Sequence, residues 1–137
     1  MLSRRMFTGC AVCAAIGLAA DDASAQAPSG IKRAITSRVD GPVEGYETLQ
    51  VVVDLEPNFV LDWHTHPGTE AGYTVGGVGE LRVKGKEAQM LKPGASWVTA
   101  AETPHMLQNG SEATKLFVTF TVQKGKPLSS PAPAPTE

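Results

Sequence analysis

The residues of this chain best placed to do chemistry are its three histidines and one nearby glutamate. His64-Thr65-His66 falls at the end of a run that reads as a β-strand. Side chains two apart on a strand point to the same face, so both imidazoles can reach one point in space. Pro67-Gly68-Thr69 then bends the chain, and Glu70 follows at the start of the next extended run, where its carboxylate can return to that point. His105 stands much later, in Thr103-Pro104-His105, with Pro104 restricting the backbone just before the strand that carries it. Imidazole nitrogens and a carboxylate oxygen are ligands for a divalent transition metal. Taken singly, each residue has a plainer account: a satisfied strand histidine, an accidental His-x-His in a hairpin, a turn histidine at a strand edge. A histidine pair at i, i+2 with a carboxylate four residues later is rarer by chance, and His105 gains its meaning from the combination.

The elements that must position these groups read as short strands. No segment shows a sustained helical period, and β-rich runs alternate with turn residues. Strands are expected at Ile31–Ser37, Thr48–Leu55, Phe59–His64, Ala71–Val75, Ser96–Ala100, His105–Gln108 and Lys115–Val122. A hairpin of Glu80–Val83 with Glu87–Leu91 is expected across Lys84-Gly85-Lys86. About nine short strands with turn signals between them favour an all-β sandwich or barrel, in which a later strand can come round beside the first histidine pair.

Length, charge and termini narrow the class further. The chain has 137 residues, one domain at most. Twelve basic and fourteen acidic residues are interspersed, which excludes a nucleic-acid patch and an acidic tail. Residues 1–25 read as a signal peptide: Arg4-Arg5, a short apolar stretch to about Ala20, and a small-residue cleavage site at Ala23-Ser24-Ala25. Ser3-Arg4-Arg5-Met6-Phe7 resembles the twin-arginine export motif, which implies a protein exported folded to a bacterial periplasm or beyond, with no membrane partner once mature; an ordinary Sec signal and an uncleaved anchor are the competing readings. Both cysteines, Cys10 and Cys13, lie in that segment, so the mature chain has no thiolate and a metal must take nitrogen and oxygen ligands. Residues 26–124 form the expected domain. Residues 125–137, with Pro127, Pro131, Pro133 and Pro135, read as a flexible tail outside the core.

The segment His64-Thr65-His66-Pro67-Gly68-Thr69-Glu70, followed by Gly77, resembles the first motif of the cupins. Gly94, His105 and Asn109 resemble the second. The resemblance implies a small single-domain cupin, a jelly roll or conserved β-barrel. It also implies His64, His66, Glu70 and His105 as ligands of one Fe, Mn, Ni, Cu or Zn ion. Three positions depart from the pattern: Asn58 and Glu102 stand where glycine is usual and Ala100 where proline is usual, which bears on loop shape rather than on metal binding.

Three imidazoles and one carboxylate leave coordination positions open for a small-molecule substrate. Among enzymes of the resembled kind, a quercetinase-like dioxygenase is the leading expectation, with Glu70 doubling as ligand and catalytic proton acceptor. The alternatives are a non-catalytic module that binds a metal or small molecule, and a non-redox isomerase or lyase. Asp62 shares the face of the histidine pair under strict alternation, unless a bulge or simple exposure turns it away. Gln108 and Asn109 are candidate hydrogen-bond partners near His105, Asn109 competing with a role in the Asn-Gly turn. Trp63, Tyr73, Trp97, Phe117 and Phe120 read as core or interface, and Glu102 as a solvated loop charge. The apolar strand Thr48–Leu55 suggests a homodimer paired through strand edges.

Overall fold

The computed structural model describes residues 29–136. The expected signal peptide and its twin-arginine motif lie outside the described residues. Ten strands and no helix are present among those described: β1 (Ile31–Asp40), β2 (Tyr46–Leu55), β3 (Val60–Thr65), β4 (Gly68–Gly76), β5 (Gly79–Val83), β6 (Gln89–Leu91), β7 (Ser96–Thr99), β8 (His105–Asn109), β9 (Thr114–Gln123) and β10 (Ser130–Pro131). They form two five-stranded antiparallel sheets, ordered β1-β2-β9-β4-β7 and β10-β3-β8-β5-β6. The all-β expectation therefore holds, and the strands fall where the β-branched runs placed them.

Alternation builds the core. On β2 every second residue from Leu49 to Leu55 is buried, and on β9 every second residue from Leu116 to Val122. The register sets Val51 opposite Val118 and Val53 opposite Leu116 on one inward face. Leu81, Leu91 and Leu107 meet them from the second sheet. Each such side chain contributes roughly 1.5–3 kcal/mol by leaving water.

Two expectations are corrected. Thr48–Leu55 is not an edge available to a second copy: β2 is hydrogen-bonded to β1 on one side and to β9 on the other, and β1 is the edge. A run with four buried residues needs a neighbour on each flank and a layer beneath it, so it goes to the middle of the sheet. Nor is the segment after Gly125 wholly outside the fold. Ser130 and Pro131 pair with Thr65 and His64, and Ala132 donates its N–H to the Trp63 carbonyl at 2.9 Å. Leu128 packs against the core. Proline is tolerated because β10 is the outermost strand, where a missing N–H costs least. Most of the other described residues of the stretch are exposed.

A short turn, Lys92–Ala95, joins β6 to β7 and so ties those two edges of the sheets together. β1 and β10 are the remaining edges, on the opposite side.

Candidate metal centre

His64 is on β3, His66 is one residue past its end, Glu70 is on β4 and His105 opens β8. All four are buried. β3 and β8 are neighbours, and their register pairs His64 directly with His105. This is how a residue distant in sequence reaches the histidine pair.

A bulge in β3 adjusts the aim. Leu61 pairs with Leu107 and His64 with His105, so three steps on β3 match two on β8. The extra residue shifts the parity: Leu61 and His64 both line the interior, whereas Asp62 is turned outward and exposed. Asp62 thus has no side chain near the histidines, but its carbonyl accepts a hydrogen bond from His64 Nδ1 at 2.7 Å.

The other two rings are held in the same way. His105 Nδ1 donates to the Thr103 carbonyl at 2.9 Å, and His66 Nδ1 to the Leu128 carbonyl at 2.6 Å. A carbonyl oxygen only accepts, so each Nδ1 carries a proton, and in the neutral ring it is Nε2 that keeps the lone pair. The three rings face one another with centroids 4.2 to 5.0 Å apart. One nitrogen from each lies within 4.8 Å of those of the other two. Ligands at bonds of about 2.1 Å stand roughly 3 to 3.5 Å apart around an ion, so a small inward adjustment of the rings suffices.

Glu70 stands beside two of the three rings, outside the mutually close set, which is the three histidines alone. Its Oε2 lies 2.9 Å from His105 Nε2 and 3.2 Å from His66 Nε2, close to the spacing of neighbouring ligands. The Glu70 Oε2 and His105 Nε2 atoms are buried against each other, and neither has another hydrogen-bond partner. Buried polar atoms are rarely left so, and a shared cation satisfies both. The donors present therefore fit a transition metal ion.

Charge is arranged to match. Burial drives the His64 imidazole down to about 4, and the neighbouring histidines add to the effect. Burial alone would raise the Glu70 carboxyl, but contact with His105 and His66 outweighs it and holds Glu70 well below the usual carboxylate range. Burial also works against a charged His105, but the carboxylate beside it wins and its pKa is raised.

Glu70 is aimed by a residue that the sequence alone marks as core or interface. Trp97 is buried and donates from Nε1 to Glu70 Oε1 at 3.2 Å. Its indole lies over Gly72, its cross-strand partner, where any Cβ would strike the ring. Gly68 has a similar role between His66 and Glu70: a side chain there would collide with the backbone of β9 at Thr121 and Val122. Apolar residues, among them Leu61, Leu107 and Phe120, enclose the donors in a cavity of about 40 Å³.

Other candidates go elsewhere. Asn109 ties loops together, donating to the carbonyls of Glu56 at 2.7 Å and Glu112 at 2.9 Å. Gln108 and Glu102 are exposed. Asn58 and Glu102 are the non-glycine residues with positive φ among those described, at 60° and 55°. The loops thus keep the left-handed turn that glycine usually supplies there.

The Cupin domain family profile matches residues 51–121, just over half of the chain. This chain is a member of the cupin family. Solved structures agree on the fold. KdgF from Halomonas sp. superposes with a TM-score of 0.60 at 24% identity, over 70% of this chain and 83% of that one. A conserved double-stranded β-helix protein from Klebsiella pneumoniae gives 0.61 at 18% identity, over 79% and 89%. The DMSP lyase DddQ from Ruegeria pomeroyi gives 0.56 at 18%, over 61% of this chain, which spans only 42% of the lyase. No curated protein matches the chain in sequence. This cupin has a histidine-rich site that could bind a metal ion.

Proposed function

We propose that this cupin is a metal-dependent enzyme acting on a small molecule, with His64, His66, Glu70 and His105 holding one Fe, Mn, Ni, Cu or Zn ion. The observation that carries this is the shared tautomer: three backbone carbonyls take the three Nδ1 protons, so all three Nε2 lone pairs converge beside a buried carboxylate. Such carbonyl partners raise the basicity of a ligating imidazole and fix its orientation. A divalent ion bound there supplies Lewis acidity, open positions and, for a redox-active metal, the ability to engage dioxygen.

The chain's own residues do the rest. Trp97 holds Oε1 of Glu70, leaving Oε2 to face the histidines and to accept a proton from a bound substrate. The apolar walls exclude water and strengthen each electrostatic contact. A quercetinase-like dioxygenase is the leading reaction class, with only the reacting part of the substrate entering so small a cavity. A lyase is the second, favoured by the fold likeness to DMSP lyase DddQ. Export to a bacterial periplasm belongs to the same proposal, on the twin-arginine resemblance of residues 3–7.

The test is turnover with each metal in turn. Oxygen uptake with a phenolic or enolate substrate, lost in His66→Ala and on chelation, supports the dioxygenase. Turnover without oxygen in the zinc form selects the lyase. Tight binding without turnover under any metal points to a non-catalytic module, and activity that survives both His66→Ala and chelation contradicts metal dependence.

A further inference from the structure

Arg33 stands on the edge strand β1, directly across from Val53 of β2. Cross-strand partners share a face. Val53 is buried in the core, so Arg33 projects toward the barrel interior, as does Ile31 opposite Leu55. An arginine aimed at apolar residues ordinarily has a carboxylate partner. Among the described residues, Arg38, Arg82, Lys115 and Lys124 each form an ion pair, and Arg33 forms none. It is exposed at the rim, yet it lines the same cavity as His64, His66, Glu70 and His105. Burial of its guanidinium lowers its pKa, opposed by the charge of Glu70.

Charge counting makes the arrangement specific. A divalent ion on the three neutral histidines brings two positive charges, Glu70 returns one negative, and Arg33 adds one positive. The loaded cavity then has an excess of two positive charges within apolar walls, where an unscreened charge attracts strongly. A neutral ligand leaves that excess uncompensated, and an anion offsets it.

We propose that Arg33 docks the negatively charged end of the substrate, and that this substrate is a small carboxylate. The planar guanidinium matches a carboxylate with two parallel hydrogen bonds. The cavity of about 40 Å³ has room for little more than a carboxylate head group, the remainder lying outside. This inference rests on the metal centre proposed above and adds the ligand's chemical class to it.

The experiment uses the full chain loaded with cobalt(II), titrated with acetate and with its neutral counterpart acetamide. Calorimetry and the visible bands of the cobalt ion are the readouts. Wild type is expected to bind acetate at least about tenfold more tightly than acetamide. Arg33→Met is expected to lose about tenfold in acetate affinity while keeping its cobalt(II). Arg33→Lys, which keeps the charge and loses the fork, falls between and guards against a folding defect in the methionine variant. Equal binding of acetate and acetamide by wild type overturns the inference, as does undiminished acetate binding by Arg33→Met. A wild-type chain that takes up no cobalt(II) overturns the metal centre instead, and shows this before any acetate is added.

Discussion

The ring of His66 donates from Nδ1 to the carbonyl oxygen of Leu128, 2.6 Å away and 62 residues further along the chain. One of the three imidazoles is therefore oriented by the segment that pairs with β3 through Ser130 and Pro131. Removing residues 126–137 frees that ring and takes Leu128 from the core. Metal affinity is expected to fall about 10- to 100-fold, the usual cost of losing a ligand's supporting hydrogen bond. Competition against a chromogenic chelator measures it, and unchanged affinity in the truncated chain refutes the orienting role.

Trp97→Phe removes the indole N–H that holds Glu70 Oε1 and leaves the ring volume nearly intact. The orphaned buried oxygen is expected to cost about 1–3 kcal/mol of stability. Metal affinity should fall severalfold as the carboxylate loses its aim. Urea midpoints and metal titrations report both, and wild-type values in both contradict the assignment.

The metal-free protein should respond to pH through the same groups. His64 is lowered to about 4 from 6.5, so the unfolded chain takes its proton first and stability falls as pH drops from 6.5 toward 4. One proton sets a limiting slope of about 1.4 kcal/mol per pH unit. His105 is raised, so its contribution is complete below pH 6.5 and is lost as pH rises through its folded pKa. Glu70 is lowered, and its contribution is lost only as pH falls below 4.5. Denaturation in chelator should thus give a stability maximum near pH 6.5, and His64→Asn should flatten the acid side down to about pH 4.5. An acid limb unchanged in that variant runs counter to this assignment.

Glu102 has φ at 55°, where a side chain costs about 1 kcal/mol that glycine escapes. Its N–H also bonds the His66 carbonyl at 3.0 Å, which glycine retains. Glu102→Gly should raise stability by roughly 0.5–1 kcal/mol, and Asn58→Gly by less, since asparagine tolerates this conformation. Urea midpoints decide it, and a loss of stability in Glu102→Gly shows that the side chain matters.

The meeting of the three histidines was legible because ligand chemistry restricts residue types and the period of two restricts direction. The strands were legible because β-branched alternation on β2 and β9 has one buried solution. What escaped was carried by the backbone or by register. The Leu128 carbonyl has no side-chain signature, and proline-rich composition argued against any contact there. The parity shift that removes Asp62 depends on one unpaired residue in β3. The Trp97–Glu70 bond depends on which strand β7 joins. Arg33 sits in an otherwise ordinary strand, and only its pairing with Val53 shows it facing inward.

The most direct measurement is metal stoichiometry by mass spectrometry of the purified chain beside His105→Ala. One ion per wild-type chain, with near-complete loss in the variant, is the predicted result. A variant that retains one equivalent at wild-type affinity would show that β3 and β8 do not share an ion.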